Sequence, residues 1–254
     1  MILPHINKQS QDIFDAVKDI AGFIWQKGWG ERNAGNISIN ITSEIKNSLP
    51  VPDISQHPKI HFEKTYPLLS DIILFVTAGG KRMRDIGKDI YSNSCLIKMD
   101  SKGESCHIQR FDDADIDLFP TSELPTHLEI HENLIKYKPE FKAVMHSHPS
   151  EIIALTNCND FNNEQSINNL IRGIHPEINM FLPDGIGYVG FEEPGSYEIA
   201  LKTAEQVKDH DVIVWSRHGC FSMAKDIEDA FDKTDLVVKA ISIYLMCRSA
   251  GLKN

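Results

Sequence analysis

Residues 143–156, Ala143-Val-Met-His-Ser-His-Pro-Ser-Glu-Ile-Ile-Ala-Leu-Thr156, join an apolar run to a helix-like segment through two histidines. Residues 143–148 predict a strand and residues 151–156 a helix. His146 and His148 are two apart, so both side chains project from one face of that strand. They stand at its carboxyl end, where sites of α/β proteins gather. The residues leave two interpretations open, a metal site or two polar groups at a strand end.

The same alternation of strands and helices continues on both sides of this stretch. Strands are predicted at residues 37–41, 72–76, 95–99, 106–109 and 212–215. Helices are predicted at residues 13–24, from Pro125, from Ser196 to about Lys208, and from Asp226 towards the end of the chain. Ile37, Ile39 and Ile41 alternate with Ser38 and Asn40, which predicts a strand with one buried face.

Two features between the strands shape the predicted fold. Residues 43–70 hold four prolines with little periodicity, which predicts a long surface excursion of the kind that often has a function. Ser101-Lys102-Gly103 separates two predicted strands and is typical of a hairpin. We therefore expect one domain over residues 1–254 with an α/β fold, in which helices cover both faces of a mixed, largely antiparallel central sheet.

Composition narrows the class of protein. The chain has 36 acidic and 26 basic residues and a net charge of -10, which argues against a nucleic-acid partner because phosphate backbones require a basic surface. No apolar run approaches the roughly 20 residues of a membrane span. The five cysteines are scattered without a C-x-x-C pair. This pattern predicts reduced thiols. The first residues carry no signal-peptide pattern, and together the two observations predict a cytoplasmic location.

His218 is the best candidate for a third metal ligand. It follows the apolar run 212–215 and precedes Gly219, which lets the backbone approach another group closely. Three neutral imidazoles with an open fourth position are typical of a catalytic zinc site. His127 and His131, four apart on a predicted helix, are a competing pair, although Leu128 stands where the zincin motif requires glutamate.

Three short segments could bind an anion or do acid–base chemistry. Asn33-Ala-Gly-Asn36 could form a backbone nest or a simple tight turn. Thr77-Ala-Gly-Gly-Lys81 follows a strand in the same manner, without the spacing of a P-loop. Thr121-Ser-Glu123 precedes a helix and could bind phosphate or merely cap that helix. Glu123 could act as a general base if the site raises its pKa.

Several segments, read together and in order, resemble the class II aldolase/adducin family. The matching segments are residues 28–39 (GWGERNAGNISI), 75–86 (FVTAGGKRMRDI), 120–131 (PTSELPTHLEIH), 144–156 (VMHSHPSEIIALT), 182–188 (LPDGIGY), 194–199 (PGSYEI) and 212–222 (VIVWSRHGCFS). The histidine pair and R-H-G are shared by the whole family. E-R-N-x-G-N and P-T-S-E-L-P are more particular to its rhamnulose phosphate branch.

The resemblance implies a zinc-dependent aldolase that cleaves L-rhamnulose 1-phosphate into dihydroxyacetone phosphate and L-lactaldehyde. It implies His146, His148 and His218 as ligands of one Zn²⁺ per subunit, Glu123 as the catalytic acid/base and Glu177 as a second catalytic glutamate that reaches into a neighbouring subunit. The resemblance also implies a cyclic homotetramer. The residues that would hold the phosphate are Asn33, Gly35, Asn36, Gly79, Gly80, Thr121 and Ser122.

Other members of the family leave alternatives open. The chain could act on another phosphorylated sugar, as fuculose-phosphate aldolases or ribulose-phosphate epimerases do, or it could be a noncatalytic scaffold like the adducin head. Two departures from the family pattern bear on the site. Gly79 replaces a phosphate-binding serine, and the chain stops at Asn254, short of the family's longer tail, so we expect other residues to close the site.

Overall fold

The computed structural model describes residues 8–45, 58–111 and 118–252. Within these ranges the α-helices are α1 (Lys8–Gln26), α2 (Thr42–Ile45), α3 (Met83–Ile86), α4 (Leu124–Tyr137), α5 (Ser150–Thr156), α6 (Glu164–Ile174), α7 (Glu177–Phe181), α8 (Tyr197–Gln206) and α9 (Ile227–Ser249). The strands are β1 (Asn36–Asn40), β2 (Lys59–His61), β3 (Ile73–Thr77), β4 (Ser94–Met99), β5 (Ser105–Arg110), β6 (Ala143–Ser147), β7 (Gly187–Val189), β8 (Val212–Trp215) and β9 (Gly219–Ala224).

The strands form one sheet in the order β2-β5-β4-β3-β1-β6-β9-β8-β7. Every neighbouring pair is antiparallel except β7 and β8, which are parallel. The predicted mixed, largely antiparallel sheet is therefore confirmed. Three strands escaped prediction: the three-residue β2 and β7 and the six-residue β9.

Helices cover both faces of this sheet, as predicted. On one face α1, α5 and α6 pack against α9, and α9 packs on β6 and β9. This side holds the largest apolar cluster, which includes Ile37, Met145 and Val214. On the other face α4 packs against α8 and β6. Alternate strand residues such as Val144 and Ile213 point to that side.

Strand β1 is buried on both faces, so the prediction of a strand with one buried face was wrong. Ile37 and Ile39 enter the large apolar cluster. Asn36 and Ser38 face the other way, but α4 covers them, and Ser38 is fully buried. Asn36 and Ser38 can be buried because His127 and His131 of α4 supply their side chains with hydrogen-bond partners.

The region predicted as a surface excursion is partly regular. Residues 42–45 form α2, residues 59–61 form β2 at the edge of the sheet, and residues 67–69 form a 3-10 turn. Residues 46–57 of that region lie outside the described residues. Strand β2 pairs with β5, so its three residues are held by the sheet despite their weak pattern.

Capping residues predicted from the sequence occupy the expected positions. Ser196 accepts a hydrogen bond from the backbone N–H of Ile199, and Asp226 accepts one from Asp229, so both begin their helices as N-caps.

The β4–β5 hairpin turns at Gly103, whose φ of 69° and close approach to the carbonyl of Tyr66 require glycine. Among the described residues, every helix is too short or too polar to cross a membrane.

Candidate metal centre

The three histidines predicted as ligands lie together at one end of the central strands. His146 is on β6, His148 follows the end of that strand, and His218 lies in the turn between β8 and β9. The ring centroid of His218 is 5.1 Å from that of His146 and 4.6 Å from that of His148. One ligand nitrogen from each ring can be chosen so that all three lie within 4.8 Å of one another. Rings from β6 and from the β8–β9 turn therefore converge on one point.

Hydrogen bonds fix how two of these rings present their nitrogens. His146 donates from Nδ1 to the backbone carbonyl of Cys220 at 2.9 Å, and His148 donates from Nδ1 to a carboxylate oxygen of Glu31 at 3.0 Å. A neutral ring with a proton on Nδ1 has a bare lone pair on Nε2. The two Nε2 atoms lie 3.0 Å apart, so two lone pairs face each other. A cation between them removes this repulsion, and neutral imidazoles oriented by such partners are good metal ligands.

Burial keeps two of the rings neutral. Desolvation, with the nearby His148 and His218, lowers the pKa of His146 well below its usual value. Desolvation, with His148, lowers the pKa of His218 to about 4. Rings that resist protonation keep their lone pairs for a metal at neutral pH. The donor set, three nitrogens and an adjoining carboxylate, fits a divalent transition metal such as zinc.

A tight turn carries His218 to this point. Gly219 approaches β6 so closely that a Cβ there would lie 2.2 Å from the backbone oxygen of Ser147. The sequence predicted a close backbone approach at Gly219, and its partner is this carbonyl. Arg217 has a φ of 62°, a left-handed conformation that costs energy in a residue with a side chain. Its N–H donates to Thr156 Oγ1 at 2.9 Å, which holds the turn in place.

Glu123 lies beside the histidines at the start of α4. Its Oε2 is 3.5 Å from His146 Nε2 and accepts a hydrogen bond from Asn36 Nδ2 at 2.7 Å. The residue is 8% exposed. Burial raises the pKa of Glu123, against a smaller lowering by the hydrogen bond from Asn36. A carboxyl group with a raised pKa can hold and release a proton near neutral pH.

A pocket of about 330 Å³ opens beside the carboxylate and the histidines. Its lining includes every residue that the sequence predicted for phosphate binding. The described residues that line it are Glu31, Arg32, Asn33, Ala34, Gly35, Asn36, Ala78, Gly79, Gly80, Thr121, Ser122, Glu123, His146 and His148. At Gly79 a Cβ would lie 3.2 Å from the carbonyl oxygen of Pro120, so a serine there would press on the segment that precedes α4.

Two other predicted groups lie elsewhere. Glu177 begins α7, forms an ion pair with His175 at 2.8 Å and is not among the residues that line the pocket. His127 and His131 are fully buried on α4 and bind Ser38 and Asn36 through their ring nitrogens, so they do not share the convergence point of the three histidines.

Sequence reasoning missed two residues of the site. Glu31 orients His148, and Arg32 adds a positive charge to the pocket lining. Both lie in the E-R-N-x-G-N segment, directly before Asn33. Their position beside two predicted anion-binding residues was the available signal. The pairing of Glu31 with His148, 117 positions later, depends on the fold.

Comparison with known proteins identifies the family. The model described as Class II Aldolase and Adducin N-terminal domain matches residues 16–245. The chain belongs to the class II aldolase and adducin family. A rhamnulose-1-phosphate aldolase of Bacteroides thetaiotaomicron is 35% identical over 241 residues, which cover 93% of this chain and 86% of that protein. A rhamnulose-1-phosphate aldolase of Citrobacter koseri is 31% identical over 89% of this chain and 82% of that protein.

Solved structures agree with this membership. The sugar-phosphate aldolase from Thermotoga maritima matches with a TM-score of 0.79 and 31% identity, over 97% of this chain and 99% of that one. An L-fuculose-1-phosphate aldolase from Thermus thermophilus matches with a TM-score of 0.57 and 13% identity, over 94% and 95% of the two chains, and shares the fold alone. Membership and relatives together support a lyase of the class II aldolase type.

Proposed function

We propose that this chain is a metal-dependent aldolase that cleaves L-rhamnulose 1-phosphate into dihydroxyacetone phosphate and L-lactaldehyde. The observation that carries the proposal is the 3.0 Å approach of two Nε2 lone pairs, with Glu123 3.5 Å from one of them in the same pocket. A noncatalytic scaffold has no use for a ligand set beside a carboxyl group of raised pKa. Two relatives named rhamnulose-1-phosphate aldolase support the proposed substrate.

The residues proposed to hold the metal are His146, His148 and His218. A zinc ion bound there would supply Lewis-acid polarisation of the ketose carbonyl. The orientation of two rings by Glu31 and by the Cys220 carbonyl keeps their Nε2 atoms available. Nitrogen sites also accept other divalent transition metals, and zinc is the proposal that best fits three imidazoles with an open position.

The residues proposed to hold the phosphate line the same pocket. Asn33 and Ser122 are exposed and can donate from their side chains, and Asn36 keeps a second amide hydrogen beyond the one given to Glu123. Thr121, Gly35, Gly79 and Gly80 complete the proposed set. Arg32 adds a permanent positive charge, which offsets the hydroxyl donor that is absent at Gly79.

Acid–base work falls to two glutamates in this proposal. Cleavage of the bond between carbons 3 and 4 turns the carbon-4 hydroxyl into an aldehyde and releases its proton. The electron pair of the broken bond stays with carbon 3, where Glu123 delivers a proton to complete dihydroxyacetone phosphate. Glu177 would receive the proton from the aldehyde end. Because Glu177 is outside its own subunit's pocket lining, it would act on the site of a neighbour, as in a homotetramer.

An aldol-cleavage assay with and without a chelator tests the proposed function. We expect L-rhamnulose 1-phosphate to be cleaved faster than its L-fuculose and L-ribulose counterparts, and chelation to abolish cleavage until zinc is restored. Faster cleavage of another epimer would overturn the substrate. A protein that binds no metal and cleaves none of the three would be a scaffold.

Replacement of Glu123 by glutamine tests the acid–base role. We expect Glu123→Gln to keep its metal and to bind dihydroxyacetone phosphate, while its carbon-3 proton exchanges about 100- to 10,000-fold more slowly. Exchange into deuterated water, followed by NMR, measures this rate. A variant that exchanges the proton at the native rate would remove Glu123 from the mechanism.

A further inference from the structure

A line of buried hydrogen bonds runs from Glu123 into the interior between β1 and α4. Asn36 donates from Nδ2 to Glu123 at 2.7 Å, and its Oδ1 is bonded to His127 Nε2. Ser38 Oγ lies 2.7 Å from His127 Nδ1 and 2.8 Å from His131 Nε2. Ser38 and His127 are 0% exposed and His131 is 1% exposed, so water does not complete these bonds. We call Asn36, His127, Ser38 and His131 the interior relay.

Each bond of the interior relay has one direction. The Oε2 atom of Glu123 accepts, so Asn36 presents its NH₂ to Glu123 and its oxygen to His127. That oxygen can only accept, so His127 carries a proton on Nε2. Because His127 is neutral in this apolar setting, its Nδ1 accepts the hydroxyl proton of Ser38. Ser38 oxygen then accepts from Nε2–H of His131.

This direction matters because an amide has two nearly identical ends. If the Asn36 amide turned over, its oxygen would face Glu123 at about the distance now occupied by a donor, and two acceptors would repel each other. The donor on His127 Nε2 prevents that rotation. Ser38 prevents the other tautomer of His127, and His131 in turn orients the hydroxyl of Ser38. The carboxylate and the interior relay therefore hold each other in one set of hydrogen-bond directions.

We propose that His127 is a positioning residue of the active site, which acts through Asn36 to hold the carboxylate of Glu123 in place, with Ser38 and His131 fixing its tautomer. The proposal rests on the proposed role of Glu123. His127 does not touch the pocket or the three converging histidines. Its side chain also packs against Phe221, with ring centroids 5.4 Å apart, so an apolar residue could fill the same space.

Two substitutions of His127 separate positioning from packing. His127→Leu keeps an apolar filler and removes the donor, whereas His127→Gln places an amide N–H near the position of Nε2. We expect His127→Leu to lower kcat and the carbon-3 proton exchange of dihydroxyacetone phosphate by about 10- to 100-fold, as for other residues that orient a reacting group, with KM and bound metal little changed. His127→Gln should recover most of the exchange rate. Native exchange in His127→Leu would overturn the proposal.

A matched pair of serines tests the far part of the relay. Ser38→Ala removes the hydroxyl that fixes the His127 tautomer. Ser222→Ala removes an equally buried hydroxyl on β9, whose oxygen has no hydrogen-bond partner among the described residues. We expect Ser38→Ala to slow the exchange and Ser222→Ala to leave it unchanged. An equal change of the exchange rate in the two variants would overturn the role of Ser38 in the relay, because the loss of any buried strand hydroxyl would then have the same effect.

The tautomer of His127 can be read without any activity. Long-range ¹H–¹⁵N NMR on the metal-free protein distinguishes a proton on Nε2 from one on Nδ1. We expect Nε2–H in the native protein and a mixture of tautomers in Ser38→Ala. A native Nδ1–H tautomer would overturn the proposal even if the leucine variant did not fold. Failure of the proposed function would leave this spectrum unchanged, and would show instead as absence of exchange in the native protein.

Discussion

Two pairs of histidines lie on either side of Asn36 and differ in their hydrogen-bond partners. His146 and His148 each donate from Nδ1 to an orienting partner, and their Nε2 atoms point at each other with no proton between them. His127 Nδ1 and His131 Nε2 are hydrogen-bonded to Ser38, and His127 Nε2 is hydrogen-bonded to Asn36. Burial lowers the pKa of His146 in one pair and of both His127 and His131 in the other, so loss of charge on burial is common to the two places.

What separates the pairs is His127, which is hydrogen-bonded at both ring nitrogens, whereas His146 and His148 each have an orienting partner at Nδ1 and turn Nε2 towards the other ring. A ring that is bonded at one nitrogen can offer the other to a metal, whereas a ring bonded at both has nothing left to offer. A neutral imidazole can serve either chemistry, as a proposed metal ligand in one place and as a hydrogen-bonded link in the other. A histidine pair in a sequence therefore predicts a metal site only when the fold leaves one nitrogen of each ring free.

Removal of a ring from the converging pair is the strongest way to test this difference. His148→Ala removes one of three proposed ligands, so we expect metal affinity and cleavage rate each to fall by more than about 100-fold, beyond what loss of an orienting partner costs. His131→Gln, in the other pair, should keep its metal. Elemental analysis of the two purified variants measures both. A fully loaded, active His148→Ala protein would refute the assignment of the ligands.

Disturbance of the turn at Gly219 should have the next largest effect. In Gly219→Ala the new Cβ would stand 2.2 Å from the oxygen of Ser147, so β9 must move away from β6 and take His218 with it. We expect the free energy of unfolding to fall by about 3 kcal/mol, as in other overpacked sites, and metal binding to weaken. Gly190→Ala, which has open space around it, is the control and should match the native protein in urea unfolding.

The burial of His127 and His131 predicts that the stability of the protein depends on pH. Desolvation lowers the pKa of His127 and of His131 from 6.5 to about 3 in the folded protein. Below pH 6.5 the unfolded chain takes up protons that the folded chain refuses, so stability is lost as the pH falls from 6.5 towards 3. At pH 5 each ring should cost about 2 kcal/mol relative to pH 8.

Urea unfolding of metal-free protein at pH 8 and pH 5 measures this loss. We expect the double variant His127→Gln/His131→Gln to lose less stability between the two pH values than the native protein. His61→Gln, which changes an exposed histidine on β2, should lose as much as the native protein. An identical loss in all three proteins would show that the buried pair takes up protons in the folded state.

The smallest expected effect concerns the orienting partner of His148. Glu31→Gln replaces a carboxylate that accepts from His148 Nδ1 with an amide, and the side chain of Glu31 is 64% exposed. We expect metal affinity to fall by about 10-fold, the lower end for orienting residues, because water competes at this position. Titration with a competing chelator measures the affinity. An unchanged affinity would mean that the turn and β6 alone orient the ring.

Patterns that depend on neighbours in sequence predicted much of the fold. Ser196 and Asp226 cap α8 and α9 as predicted, since a cap needs only the N–H three residues on. The apolar runs gave β3, β4, β6 and β8. Strand β7 has only three residues, too few to show a period. Strand β9 has six residues but is buried throughout, so it shows no alternation, and β2 has two exposed residues. Pairing across the sheet therefore decides all three.

For the candidate site, the sequence on its own determined which chemistry was available: the histidine pair two apart on a strand, His218 before Gly219, and Glu123 before a helix. These follow from local spacing, since side chains two apart on a strand share a face whatever the rest of the chain does. The tertiary structure alone decided which nitrogens remain free. Glu31 reaches His148, and Ser38 reaches His127 and His131, across roughly a hundred residues, and hydrogen bonds between such distant groups exist only once the sheet has formed.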